Sequence, residues 1–208
     1  MTNLFRTYFA HCPLIAILRG VTPDEVEQIG EALFEGGIRI IEVPLNSPDP
    51  LASIARLSKR FEGRALIGAG TVLRVDQIAN IRSAGGRLIV SPSTNPEVIA
   101  ASVAADMVSC PGYFTPSEAF AALDAGAHAL KLFPAEAASP SVVRAHRAVL
   151  PKDVPLIVVG GVGADTMRPW LDAGANGFGL GSGIYRPGQS PNETLAKALA
   201  FTAALASQ

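Results

Sequence analysis
The sequence predicts an α/β fold, a single (β/α)8 TIM barrel over residues 1–208 with an additional N-terminal capping helix, and three observations predict it. Short β-branched and aliphatic runs alternate eight times with longer stretches whose apolar residues recur at helical spacing. The helical stretches end on a repeated signature, as in Gly36-Gly37, Ala84-Gly85-Gly86, Asp124-Ala125-Gly126 and Asp172-Ala173-Gly174, where glycine supplies the stop before the next strand. Eight units of about two dozen residues fill the chain, whose 208 residues stand at the low end of the size range for this barrel. A doubly wound open sheet would carry a Gly-x-Gly-x-x-Gly turn after its first strand, and here that strand runs into Leu18-Arg19-Gly20-Val21-Thr22 instead.

Residues 1–11 are expected to form the helix that caps the bottom of the barrel. Strands are expected at residues 14–18, 38–45, 66–72, 88–91, 107–110, 129–133, 156–159 and 177–181. Helices are expected at residues 23–34, 49–61, 75–84, 96–104, 116–124, 141–149, 164–172 and 192–205. Several start on a turn residue followed by proline, as in Thr22-Pro23, Asn95-Pro96 and Thr115-Pro116, because proline suits the first helical turn.

Composition excludes several function classes. A formal net charge of −1 with no basic stripe gives nucleic acid no electrostatic footprint to bind. No apolar run reaches membrane-spanning length, and the N-terminal residues lack the basic start and apolar core of a signal peptide. Cys12 and Cys110 lie far apart outside any metal-spaced cluster, which fits a reducing compartment. His11, His128 and His146 are scattered, so no metal-ligand spacing is present. A cytoplasmic protein with no metal centre is expected.

In such a barrel the reactive groups stand at the C-terminal ends of the strands. Polar residues that interrupt the apolar runs there are Arg19, Glu42, Asn46, Thr71, Ser91, Lys131, Gly160-Gly161 and Ser182. Lys131 is the most informative, set in Ala129-Leu130-Lys131-Leu132-Phe133-Pro134. An ammonium held among aliphatic side chains loses hydration, its proton affinity falls, and the neutral amine becomes a nucleophile suited to Schiff-base formation on a carbonyl. The structural alternative is a lysine that snorkels to solvent or pairs with a carboxylate.

Glu42 follows Ile40-Ile41 and precedes Val43-Pro44, so its carboxylate needs a cation, hydrogen bonds or water there. Lys131 supplies a cation, and Glu42 would then shuttle the protons that Schiff-base chemistry requires. A structural bridge to Arg39 or Arg19 is the competing reading. Arg19 brings a planar fork suited to clamping a substrate carboxylate, or to lowering the pKa of Lys131. Thr71, in Gly68-Ala69-Gly70-Thr71, is placed either to donate to a substrate carboxylate or to cap the next helix. Gly160-Gly161-Val162-Gly163 and Gly179-Leu180-Gly181-Ser182-Gly183 follow the last two strands, where barrels commonly hold a phosphate on backbone amides at a short helix N-terminus. The alternative is that these glycines only make tight turns.

With these residues placed, the chain resembles the bacterial 2-keto-3-deoxy-6-phosphogluconate and 2-keto-3-deoxy-6-phosphogalactonate aldolases over nearly its whole length. The resemblance rests on Gly68-Ala69-Gly70-Thr71-Val72, Cys110-Pro111-Gly112, Leu130-Lys131-Leu132-Phe133-Pro134 and Val159-Gly160-Gly161-Val162. It implies a class I aldolase, free of metal and cofactor, that cleaves a phosphorylated six-carbon keto-deoxy acid to pyruvate and glyceraldehyde 3-phosphate, and a homotrimer. By position, Lys131 matches the Schiff-base lysine, Glu42 the general acid/base and Thr71 a pyruvate-carboxylate contact. Gly160, Gly161, Gly181 and Ser182 match the phosphate loops, and Phe133 and Pro134 are candidate walls of the pyruvate pocket.

Two departures separate the branches. The gluconate enzymes usually carry arginine where this chain has Asn46, which leaves Arg19 as the substitute clamp. They usually carry threonine where this chain has Val159, and loss of that hydroxyl changes which C4 epimer is tolerated. Both point to the galactonate branch. The gluconate epimer as main substrate, a phosphosugar isomerase or epimerase on the same barrel, and a non-catalytic phosphosugar sensor remain as alternatives.

Overall fold
The computed structural model describes residues 2–206. Met1, the first residue of the expected capping helix, lies outside them. Helix α1 spans Thr2–His11 and is followed by β1 (Leu14–Ile17), α2 (Val26–Glu35), β2 (Ile40–Pro44), α3 (Pro50–Arg60), β3 (Leu66–Gly70) and α4 (Asp76–Ser83). Next come β4 (Leu88–Val90), α5 (Pro96–Ala104), β5 (Val108–Cys110), β6 (Gly112–Tyr113), α6 (Pro116–Asp124) and β7 (Leu130–Leu132). The chain ends with α7 (Pro140–Arg147), β8 (Leu156–Val159), α8 (Arg168–Asp172), β9 (Gly177–Leu180) and α9 (Pro191–Ala206).

All strands join one sheet in the order β5-β4-β3-β2-β1-β9-β8-β7-β6, and every pairing is parallel. The sheet begins and ends on the two halves of one chain segment, split at Pro111. Proline has no N–H to give the ladder, so the fifth strand of the barrel is interrupted there. The seam is laced all the same: His128 N donates to Ser109 O at 2.9 Å and Lys131 N to Pro111 O at 2.9 Å. Eight expected strands and nine observed ones therefore describe the same (β/α)8 barrel.

The helices follow their caps. Asn95 Oδ1 accepts from Glu97 N at 3.0 Å to start α5, and Thr115 forms a reciprocal capping box with Glu118 to start α6. The predicted stops take left-handed backbone, with φ of 95° at Gly37, 89° at Gly85, 94° at Gly126 and 105° at Gly174. Two expectations are corrected. The helix expected from residue 23 begins at Val26, after a turn in which Thr22 N donates to Glu25 Oε1 at 2.9 Å. The helix expected over residues 164–172 breaks into a 3-10 turn at Ala164–Thr166 and the short α8, because Pro169 lacks the N–H a continuous helix would need.

Period-2 alternation sorts the strand residues into two cores. Leu14, Ile41, Ile67, Ile89, Leu130 and Leu156 pack outward against the helices. Ile15, Ile40, Leu66, Leu88, Val108 and Ile157 fill the barrel interior, where they are joined by Phe5 of α1. Phe5 is fully buried and stacks on Phe9 with ring centroids 5.1 Å apart, so α1 plugs the bottom of the barrel as expected. Ser91, a strand-end candidate, is structural: its buried hydroxyl donates to Val72 O at 2.7 Å and ties β4 to the end of β3.

Candidate active site
A cavity of about 670 Å3 opens at the C-terminal ends of the strands. Arg19, Lys131, Val159, Gly160, Gly161, Gly181 and Ser182 line it, whereas Glu42 and Thr71 do not. Phe133 forms part of the wall as expected, and Pro134 does not.

Lys131 is central in β7, between Leu130 and Leu132, which both face the outer core. The alternation turns Lys131 toward the interior, and only 7% of the residue is exposed. Its Nζ lies 4.8 Å from the centroid of the Phe133 ring. Burial pushes the amine's pKa below its ordinary value, the nearby charge of Arg19 adds to this, and Glu42 opposes it.

Glu42 sits inside β2, 2% exposed, with Gly68 of β3 directly opposite in the ladder. Desolvation raises its pKa from 4.5 to about 7, against the pull of Lys131 and Arg19. Its Oε2 is buried with no hydrogen-bond partner. Neither structural bridge considered from the sequence holds it. Arg39 lies over the Phe34 ring at 3.6 Å and donates to Phe34 O at 2.6 Å, and Arg19 Nη1 donates to Asn46 Oδ1 at 2.7 Å. A carboxyl poised between its two protonation states thus shares the barrel interior with an amine of depressed basicity.

Thr71 follows β3 with φ of 57°, a left-handed conformation that is costly for a β-branched residue. It does not cap the next helix, since α4 starts at Asp76 with Val75 at its cap position. Gly160 and Gly161 have φ of 122° and 64° and leave β8 over the side chain of Glu136. The short helix N-terminus expected at the glycine loops is replaced by tighter turns. The first loop runs into the 3-10 turn Ala164–Thr166, and in the second Ile184 N and Tyr185 N both donate to Gly181 O, at 3.0 and 3.1 Å.

Glu136, Tyr185 and Arg186 also line the cavity and were not singled out from the sequence. Arg186 Nε donates to Ser182 O at 3.2 Å, which folds its cation back over the second glycine loop. Position offers the only sequence signal for two of them, since Glu136 and Arg186 each lie a few residues past a predicted site residue in the same loop. Among the described residues, no group of three or more His, Cys, Asp or Glu side chains converges as metal ligands.

The chain is 47% identical over 192 residues to the 2-dehydro-3-deoxy-6-phosphogalactonate aldolase of Escherichia coli, covering 92% of this chain and 94% of the relative. It is 48% identical over 192 residues to a probable 2-dehydro-3-deoxy-6-phosphogalactonate aldolase of Rhizobium meliloti, covering 92% and 91%. A solved structure described as native KDPGal superposes with a TM-score of 0.92 at 46% identity, over 94% of this chain and 95% of that one. Residues 6–198 match the sequence model of the KDPG and KHG aldolases. With an interior lysine, a buried carboxyl in the same barrel and the glycine loops at the barrel mouth, the chain belongs to the KDPG and KHG aldolase family.

Proposed function
We propose that this protein is a class I aldolase that cleaves 2-keto-3-deoxy-6-phosphogalactonate to pyruvate and glyceraldehyde 3-phosphate. The observation that carries the reading is the buried pair: an amine with lowered proton affinity and a carboxyl near pKa 7 in one barrel. Neutral Lys131 attacks the C2 carbonyl, and the carbinolamine, its hydroxyl protonated through Glu42, loses water to give a protonated imine. Glu42, directly or through a water, takes the C4 hydroxyl proton. The C3–C4 bond then breaks, its electron pair passes to the imine as an enamine, and C4 departs as the aldehyde of glyceraldehyde 3-phosphate. Glu42 returns a proton to C3, and water hydrolyses the imine to pyruvate and free Lys131.

Arg19, held by Asn46, supplies the cation for the C1 carboxylate. The loops at Gly160-Gly161 and Gly181-Ser182 hold the distal phosphate, so that remote binding energy orients the scissile bond. Val159 presents no hydroxyl to the C4 position, which favours the galactonate epimer, as does the identity to the relatives named above. A cytoplasmic homotrimer completes the reading. Val103, Phe114 and Phe120 expose apolar surface around α5 and α6, suited to a second copy. The test is pyruvate release followed with both C4 epimers side by side, where a higher kcat/KM for the galactonate epimer is expected and equal or reversed values refute the assignment.

A further inference from the structure
Glu136 brings the only carboxylate into the described wall of the cavity, beside the cations of Arg19 and Arg186 and the amine of Lys131. Its place is fixed by the glycine pair. A Cβ at Gly160 would collide with Glu136 Oε2, and one at Gly161 would lie 2.9 Å from its Cγ, so the side chain lies flat across both residues. In the ladder Lys131 pairs with Ile157, and Gly160 follows three residues beyond, at the exit of the same strand, so the carboxylate lies against backbone nearer the mouth than that of Lys131. A keto acid joined through C2 to Lys131, with its phosphate toward the glycine loops, would carry its C5 carbon past that carboxylate. A hydroxyl there needs an acceptor. The guanidinium groups of Arg19 and Arg186 only donate, the nitrogen of Lys131 is then held in the imine, and Val159 neither donates nor accepts, whereas a carboxylate accepts at both oxygens and more strongly than the hydroxyls of Ser182 and Tyr185.

Resting on the aldolase reading, we infer that Glu136 is a specificity-determining residue that accepts a hydrogen bond from the C5 hydroxyl of the substrate. It thereby fixes rotation about C4–C5 and turns the C4 hydroxyl toward Glu42. The enzyme should consequently demand an aldehyde partner that carries a hydroxyl next to its carbonyl.

The test runs the reaction as a condensation of pyruvate with either glyceraldehyde 3-phosphate or 3-phosphooxypropanal, which lacks the hydroxyl that becomes C5. The wild type is expected to prefer the first by tenfold or more in kcat/KM. Glu136→Ala should lose at least tenfold more on the first acceptor than on the second, with Glu136→Gln, which keeps one acceptor oxygen, in between. Equal losses on both acceptors would make Glu136 structural and overturn the inference. A gain on both would mean that it merely repels the phosphate, and no change in the ratio would refute the inference as well. A wild type inactive with either acceptor would instead bring down the aldolase reading together with this one.

Discussion
Gly70 of β3 stands against the carboxylate of Glu42: a Cβ built at Gly70 would overlap Oε2. The adjacent strand therefore leaves a side-chain-sized gap that the carboxyl fills, whereas the space beside Gly68, opposite Glu42 in the ladder, is taken by Leu88 of β4. In a barrel interior filled largely by Ile, Leu and Val, Gly70 is what makes room for this polar group.

Gly70→Ala is therefore expected to destabilise the fold by about 1–3 kcal/mol through overpacking and to displace the carboxyl, with a loss of turnover larger than the loss of stability explains. Adding Glu42→Ala should recover most of the stability and none of the activity. Thermal melts of the two single variants and the double variant check this, and purely additive losses would refute a direct contact.

Lys131→Ala should abolish trapping of pyruvate by borohydride and lower cleavage by roughly 10^4-fold or more, because no other described amine lines the cavity. Mass spectrometry of the reduced enzyme reads the result. A pyruvyl adduct on the variant would move the nucleophile elsewhere, and trapping on the wild type also separates an aldolase from an isomerase, which makes no imine.

Glu42→Gln should fold normally and lose roughly 10^2–10^4-fold in turnover. The wild-type profile should show an acid limb near pH 7, since Glu42 must be ionised to take the C4 proton and its pKa is raised to about 7. An unaltered acid limb in the variant would assign that limb to another group.

The same shift bears on stability. A carboxyl whose folded pKa is raised from 4.5 to about 7 binds its proton more tightly when folded. Its contribution is fully present below pH 4.5 and is lost as pH climbs through 7, a change of about 3 kcal/mol as an order of magnitude. Melting temperatures at pH 5, 7 and 8.5 should fall more steeply for the wild type than for Glu42→Gln, and parallel curves would contradict the burial cost.

Val159→Thr places a hydroxyl on the cavity wall where the C4 position passes, and should raise kcat/KM for the gluconate epimer roughly tenfold relative to the galactonate epimer. Paired kinetics on both epimers decide it. An unchanged ratio would move the discrimination to another residue.

Lys131 and Glu42 were legible in the sequence because each is a lone ionisable residue inside an apolar run, and strand alternation leaves such a residue facing either the helices or the barrel interior. Strand number was legible too, although the break at Pro111 was not, since the run 107–110 ends just before it and β6 is only two residues long. Glu136 escaped notice because its significance depends on Gly160 and Gly161 approaching it from another strand, a contact with no trace in local sequence. Thr71 could be placed at its strand end, but not its left-handed backbone or its position outside the cavity wall, which follow from how β3 leaves the sheet. The helix at residues 164–172 was overextended because its apolar spacing concealed the cost of Pro169.

Phe5 and Phe9 stopper the far end of the barrel, so whatever enters through the mouth must leave by it. In a blind tube the deepest cargo departs last. The three-carbon aldehyde, lying outermost, has to clear the opening before hydrolysis at Lys131 can release pyruvate. Pyruvate added from outside should consequently hinder catalysis by competing for the empty amine, whereas the aldehyde should do so by recombining with an enzyme that still carries its enamine.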